Sequence, residues 1–164
     1  MNLTIRKVEP GDLANIVSLL QEFAAFEKLS AYCDVTEERL HAAMFGDHAV
    51  VEGLIALDDD TPIGHALFFP SFASFRGQLG LYLEDIYVSE KYRGKGVGLS
   101  LLKEVARIAA SRGFERIDFQ VLDWNTPAIE FYKRLGADSD NATRHFKFTD
   151  EAFFDLANAE ARTK

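Results

Sequence analysis

The stretch from Leu81 to Leu102, LYLEDIYVSEKYRGKGVGLSLL, limits the possible folds more than any other part of the chain. It opens with strand-like alternation and passes through a basic glycine-rich loop, Arg93-Gly94-Lys95-Gly96-Val97-Gly98. Val97, Leu101, Leu102, Val105, Ile108 and Ala109 then recur at helical spacing. A strand that runs through glycines into a helix leaves free backbone N–H groups at the helix N-terminus, here beside Lys91, Arg93 and Lys95. That arrangement suits a phosphate or pyrophosphate. The glycines let such a ligand approach closely, because no Cβ stands in the way. Two nucleotide signatures fail against this loop. The P-loop spacing is absent, and in the Rossmann pattern the third glycine, Gly98, falls one residue early.

The strand before the loop carries a second signal. Leu79, Leu81 and Leu83 share one parity, whereas Ile86 and Val88 take the other. A one-residue phase slip within a strand marks a β-bulge, which re-aims side chains and frees backbone groups from the ladder. The slip falls at Glu84-Asp85, immediately before the loop.

At 164 residues the chain has the size of one domain with a proper core. No apolar run approaches the roughly 18 residues of a membrane span, and Met1 to Arg6 lacks the apolar core of a signal peptide. The single cysteine, Cys33, forms no internal disulfide, which fits a cytoplasmic protein. A net charge of −8 argues against nucleic acid as a partner and favours a cationic small substrate. The basic loop is notable because it lies in an acidic chain.

The spacing predicts a strand over Leu3–Lys7, a turn at Pro10-Gly11-Asp12 and a helix to about Lys28. Thr36 is placed to cap a short helix facing Leu40, Ala43 and Met44 inward. Strands over Ala49–Leu57 and Ile63–Pro70 read as an antiparallel hairpin around Asp58-Asp59-Asp60, a solvated turn rather than a metal site. After the glycine-loop helix, Ile117, Phe119 and Val121 alternate as a strand. Asn125 or Thr126 can cap the next helix, with Pro127 in its first turn and Gly136 as its stop. Arg144–Phe148 reads as a last strand and Glu151–Ala161 as a final helix. The expected fold class is α/β (α+β): one domain, 1–164, with a mixed, largely antiparallel sheet, helices on both faces and a bulge in the fourth strand.

Arg-x-x-Gly-x-Gly after a strand resembles the acetyl-coenzyme A loop of the GCN5-related N-acetyltransferase (GNAT) family. The segment from Val121 through Asn125 to Ala137 resembles that family's second half. Three stretches, Phe26-Glu27-Lys28-Leu29-Ser30, Tyr82 to Val88 and Asp123-Trp124-Asn125, resemble its diamine (spermidine/spermine) and thialysine N-ε-acetyltransferase branch. The resemblance implies a GNAT fold, acetyl-CoA as cosubstrate, no metal, direct attack by a primary amine, and a homodimer. It implies cofactor contacts at Ile86, Tyr87 and Val88, at Arg93, Gly94, Lys95, Gly96, Val97, Gly98 and Leu99, and at Asn125, Thr126, Pro127, Ala128 and Tyr132. Phe26, Glu27, Glu84 and Asp85 are the implied amine-binding residues.

A free alkyl amine has a pKa near 10.4, so presenting it neutral near pH 7 costs about 4 kcal/mol without help. Glu84 at the bulge is the candidate base, acting through water, with anchoring of the ammonium as an equal alternative. Backbone N–H groups of Ile86–Val88 are candidates to hold the oxyanion. Tyr132 is the candidate general acid for the departing thiolate. The chain departs from the branch in two places. After Ala137 it lacks the family's acidic pair and Gly-Trp, carrying Arg144-His145 instead, and Ser71–Phe75 lacks an acidic residue of the polyamine enzymes. A smaller amine or a thialysine-like amino acid is therefore expected ahead of a long polycation. The alternatives are a non-catalytic acyl-CoA-binding regulatory domain and acetylation of a protein amine, which a slot crowded by Phe26 and Tyr32 would oppose.

Overall fold

A computed structural model describes residues 1–140 and 142–158. Its contacts group the chain into two compact units, Met1–Gln120 and Val121–Lys164. No helix among the described residues is long and apolar enough to cross a membrane.

The first unit is built on a five-stranded sheet in the order β1 (Leu3–Lys7), β2 (Glu52–Asp58), β3 (Thr61–Ala73), β4 (Gln78–Val88), β5 (Ile117–Asp118). The first four strands pair antiparallel, and β5 joins β4 in parallel over only Leu81–Ile117 and Tyr82–Asp118. Alternation along the strands feeds two cores. Leu54, Ala56, Ala66, Phe68, Leu81 and Leu83 pack under helix α3 (Val97–Ser111). Ile55 and Leu67 point the other way, against α1 (Leu13–Phe26) and α2 (Glu37–Phe45). Helices thus cover both faces, as expected. In α3 the buried residues Val97, Leu101, Val105 and Ala109 recur every four positions, one apolar stripe down the helix. Thr36 caps α2 by accepting the Arg39 N–H at 3.2 Å.

The bulge lies where the parity slip placed it. Leu67 pairs with Asp85 and Phe68 with Leu83, so Glu84 is the extra residue. Other boundaries differ from expectation. β2 starts at Glu52 rather than Ala49, because the Val50 and Val51 N–H groups bond the Ala43 carbonyl at the end of α2. β3 continues past Pro70 to Ala73. β5 is two residues long rather than five.

The second unit holds α4 (Thr126–Arg134) and α5 (Asp150–Asn158). Asn125 caps α4, its Oδ1 accepting the Ala128 N–H at 3.3 Å. The strand expected at Arg144–Phe148 does not form. Residues 143–149 adopt no regular structure and their side chains are exposed, so no neighbouring strand supplies a ladder. The final helix forms from Asp150, and the part of its expected span beyond Asn158 lies outside the described residues.

Candidate active site

The bulge sets the chemistry of the α1 face. Leu83 and Ile86 both pack on the α3 side, so the two residues between them, Glu84 and Asp85, both fall on the α1 side. An ordinary strand cannot place consecutive side chains on one face. Glu84 is exposed and Asp85 half-buried. Burial first, and then the charges of Glu84 and Glu27, push the Asp85 carboxyl up from 3.8 to about 7. Desolvation also raises the Glu27 carboxyl. Three of the four residues expected to bind an amine therefore form one acidic group, electrostatically coupled through Asp85.

Glu27 is held there by the way α1 ends. The Leu29 N–H bonds the Ala24 carbonyl at 2.8 Å and the Lys28 N–H bonds Ala25 at 3.1 Å, a Schellman turn. The left-handed position of that turn is normally glycine, yet here it is Lys28 at φ 61°. In α3 and α4 the equivalent positions are Gly113 and Gly136. A side chain in this conformation, next to a carboxylate at the unfavourable end of a helix, marks a position where local stability is not the only constraint.

On the cofactor side, Gly94 and Gly96 take φ of 73° and 83°, and a Cβ on either would meet no atom within 4 Å. The space above the loop is open. Gly96 precedes the first turn of α3, whose N–H groups lack intrahelical partners. Lys91 and Lys95 flank it in sequence, their ammonium groups 5.3 and 5.1 Å from the Tyr92 ring centroid. The ladder between β4 and β5 stops at Tyr82, so the edge of β4 from Leu83 to Val88 has no β5 partner among the described residues. Open strand edge and helix N-terminus together suit a ligand with amides along its length and phosphates at one end.

Arg93 does not extend over the loop. Its Nε donates to the Val88 carbonyl at 3.0 Å, and its guanidinium stacks 4.2 Å from the Phe26 ring centroid and 5.5 Å from that of Tyr87. Tyr87 is buried, stacks on Phe23 at 5.3 Å and donates to Glu22 at 3.4 Å. Glu22 also accepts from Ser89 at 2.7 Å. Glu22, Ser89 and the wholly buried His65 were not legible as site neighbours, since nothing in their spacing marks them. Desolvation holds the His65 imidazole down at about 3, hence neutral, and neither ring nitrogen has a partner among the described residues. Tyr32, by contrast, is fully out in solvent at 81% exposure and does not wall a slot.

In the second unit, Tyr132 is buried on α4 with its ring edge-on to Phe131. Burial raises its phenol to about 12. Asn125 lies at the α4 cap, followed by Thr126, Pro127 and Ala128 in its first turn.

The family model of the acetyltransferase (GNAT) family matches residues 15–137. Thialysine N-epsilon-acetyltransferase of Bos taurus is 36% identical over 93% of this chain and 96% of its own length. The enzyme of the same name from Mus musculus is 35% identical over the same shares. Spermidine/spermine N(1)-acetyltransferase-like protein 1 of Homo sapiens is 32% identical over 93% of this chain, though over only 23% of its own length. Among solved structures, an integron cassette protein from the mobile metagenome of V. cholerae superposes with a TM-score of 0.81 at 26% identity, covering 97% of this chain and 99% of that one. An aminoglycoside acetyltransferase from a soil metagenome shares the fold at a TM-score of 0.77 and 19% identity, covering 92% and 97%. On these matches the chain belongs to the GNAT family and is an N-acetyltransferase.

Proposed function

We propose that the chain transfers the acetyl group of acetyl-CoA to a primary amine of a small cationic substrate, a thialysine-like amino acid or a diamine. The observation that carries this reading is the acidic group of Glu27, Glu84 and Asp85 on one face of β4. The named relatives act on thialysine or belong with spermidine/spermine enzymes, which supports the same substrate class.

Acetyl-CoA supplies the activated acetyl thioester. The backbone N–H groups of the loop from Arg93 to Leu99 and the open edge at Ile86, Tyr87 and Val88 are proposed to hold it, and the resemblance adds Asn125, Thr126, Pro127 and Ala128. Glu27 and the bulge carboxylates attract the ammonium. Glu84 and Asp85 then take its proton, directly or through water, leaving the nitrogen lone pair free to attack the acetyl carbon. Asp85 is suited to accept it, because a carboxyl near 7 lies about three units closer to the amine than the usual carboxylate range. Backbone N–H groups at the bulge end of β4 stabilise the charge on the carbonyl oxygen. The C–S bond breaks as the Tyr132 phenol, the acid that the resemblance assigns, donates its proton to the sulfur; the nitrogen releases its second proton to water, and water restores the phenol. With its pKa near 12, Tyr132 stays protonated throughout the working range, at the expense of a steeper proton transfer than a free phenol would give. A homodimer is the assembly the resemblance implies, and the cytoplasm is the compartment that the single cysteine suits.

The test is free-thiol release from acetyl-CoA with thialysine, lysine, putrescine, spermidine and a basic peptide. Release with thialysine or a diamine is expected. Release only with the peptide would transfer the reading to protein acetylation. Tight CoA binding without release would favour a regulatory acyl-CoA-binding domain.

A further inference from the structure

Arg93 belongs by sequence to the phosphate loop, yet its side chain turns back onto the amine side of the first unit. Three contacts define this. The Nε bond to the Val88 carbonyl fixes the guanidinium to the end of β4. The 4.2 Å stack on Phe26 fixes it to the last residue of α1, directly before Glu27. The 5.5 Å approach to Tyr87, whose phenol is pushed up by burial and Glu22 and held down in part by Arg93, extends the contact to the aromatic that packs on Phe23.

We propose that Arg93 is a positioning residue for the amine: by stacking on Phe26 it fixes the end of α1, and with it Glu27, against the acidic bulge of β4. The proposal rests on the amine-acetyltransferase reading above. Glu27 sits at a helix terminus held by a turn that places Lys28 in a sparsely populated conformation. Such an end frays readily unless tertiary contacts hold it. Phe26 is exposed, and a planar guanidinium that stacks on its face while its Nε bonds the Val88 carbonyl makes two contacts at once, which a lysine ammonium does not match. Because the same guanidinium hangs from the β4 carbonyl beside the glycine loop, the two halves of the substrate site share one side chain.

The experiment is a double-mutant cycle with Arg93→Lys, Phe26→Leu and the double variant, reading the Michaelis constants for the preferred cationic amine and for acetyl-CoA. Arg93→Lys retains the positive charge beside the loop, and both positions are exposed, so folding is not at stake. Each single variant is expected to raise the amine constant about fivefold, the worth of one cation–π stack, while that for acetyl-CoA stays within about twofold. The double variant should be no worse than either single one. If Arg93→Lys raises the acetyl-CoA constant alone, or the two single effects multiply in the double variant, the positioning role is overturned and the acetyltransferase reading stands. A wild-type chain that turns over none of the amines overturns both.

Discussion

Replacing Asp85 by asparagine is expected to make the folded protein more stable in alkaline buffer while damaging amine binding. Burial first, then the charges of Glu84 and Glu27, raises this carboxyl from 3.8 to about 7. At pH 8 the group is ionised in both folded and unfolded chains, and the folded state bears the full cost of the difference. Three units correspond to about 4 kcal/mol. The side chain is half-buried rather than sealed, and screening by water that reaches it reduces the working figure to about 2 kcal/mol. The sign follows from proton binding. Between about pH 4 and 7 the folded chain holds a proton that the unfolded chain has released, so stability rises as pH falls through 7 and levels off near 4. Asparagine has the shape of the neutral acid and no charge to bury. Asp85→Asn should therefore raise the melting temperature by about 4–8 °C at pH 8 for a chain of this size. At pH 5 the gain should shrink to less than half of that. Thermal unfolding of both proteins at the two pH values, without amine, is the assay. A gain of equal size at both, or a loss at pH 8, would refute the electrostatic account of the bulge.

Tyr132→Phe should lower kcat about 10²–10³-fold with the acetyl-CoA Michaelis constant little changed, and unchanged turnover would remove the phenol as the acid. In the wild type the phenol near 12 should itself produce no alkaline fall below about pH 11, so the pH–rate profile should show an acid limb near 7 from Asp85 and any alkaline fall at about 10.4 from the amine substrate. Glu27→Gln should raise the Michaelis constant for a cationic amine about tenfold and leave that for acetyl-CoA unchanged, as expected of a charge that meets only the amine. Equal effects on both would rule Glu27 out as the amine's anchor.

The sequence reading succeeded where a residue pattern has one structural outcome. A parity slip between Leu83 and Ile86 must be absorbed by an extra residue if both are to pack on α3, and Glu84 is that residue. Residues 97–109 form a helix because their apolar positions recur every four residues and glycines precede them. It failed where the outcome depends on a neighbour. Arg144-His145-Phe146-Lys147-Phe148 alternates like a strand, but β-propensity needs a partner and a buried face, and the segment has neither among the described residues. Ile117–Val121 alternates over five residues, yet its ladder with β4 ends after two. The spacing of Arg93 indicates the loop it belongs to, whereas its target, Phe26, is 67 positions away and is set by packing. The unequal burial of Glu84 and Asp85 is likewise decided by what covers the α1 face, not by their adjacency.

A single inserted residue thus reorganises the end of β4. With Glu84 present, Ile86 and Val88 return to the α3 core, while Glu84 and Asp85 stand together facing α1. The same point on β4 lies two residues past the last pairing with β5, where the strand edge opens. Were the same residues laid in a regular strand with no bulge, side chains beyond Leu83 would alternate undisturbed. Asp85 would face the apolar core of α3, where an unpaired carboxylate is costly, and Ile86 would face α1 in the place of a charge. The carboxylates proposed to hold the amine and the strand edge proposed to hold the thioester therefore adjoin at one backbone irregularity.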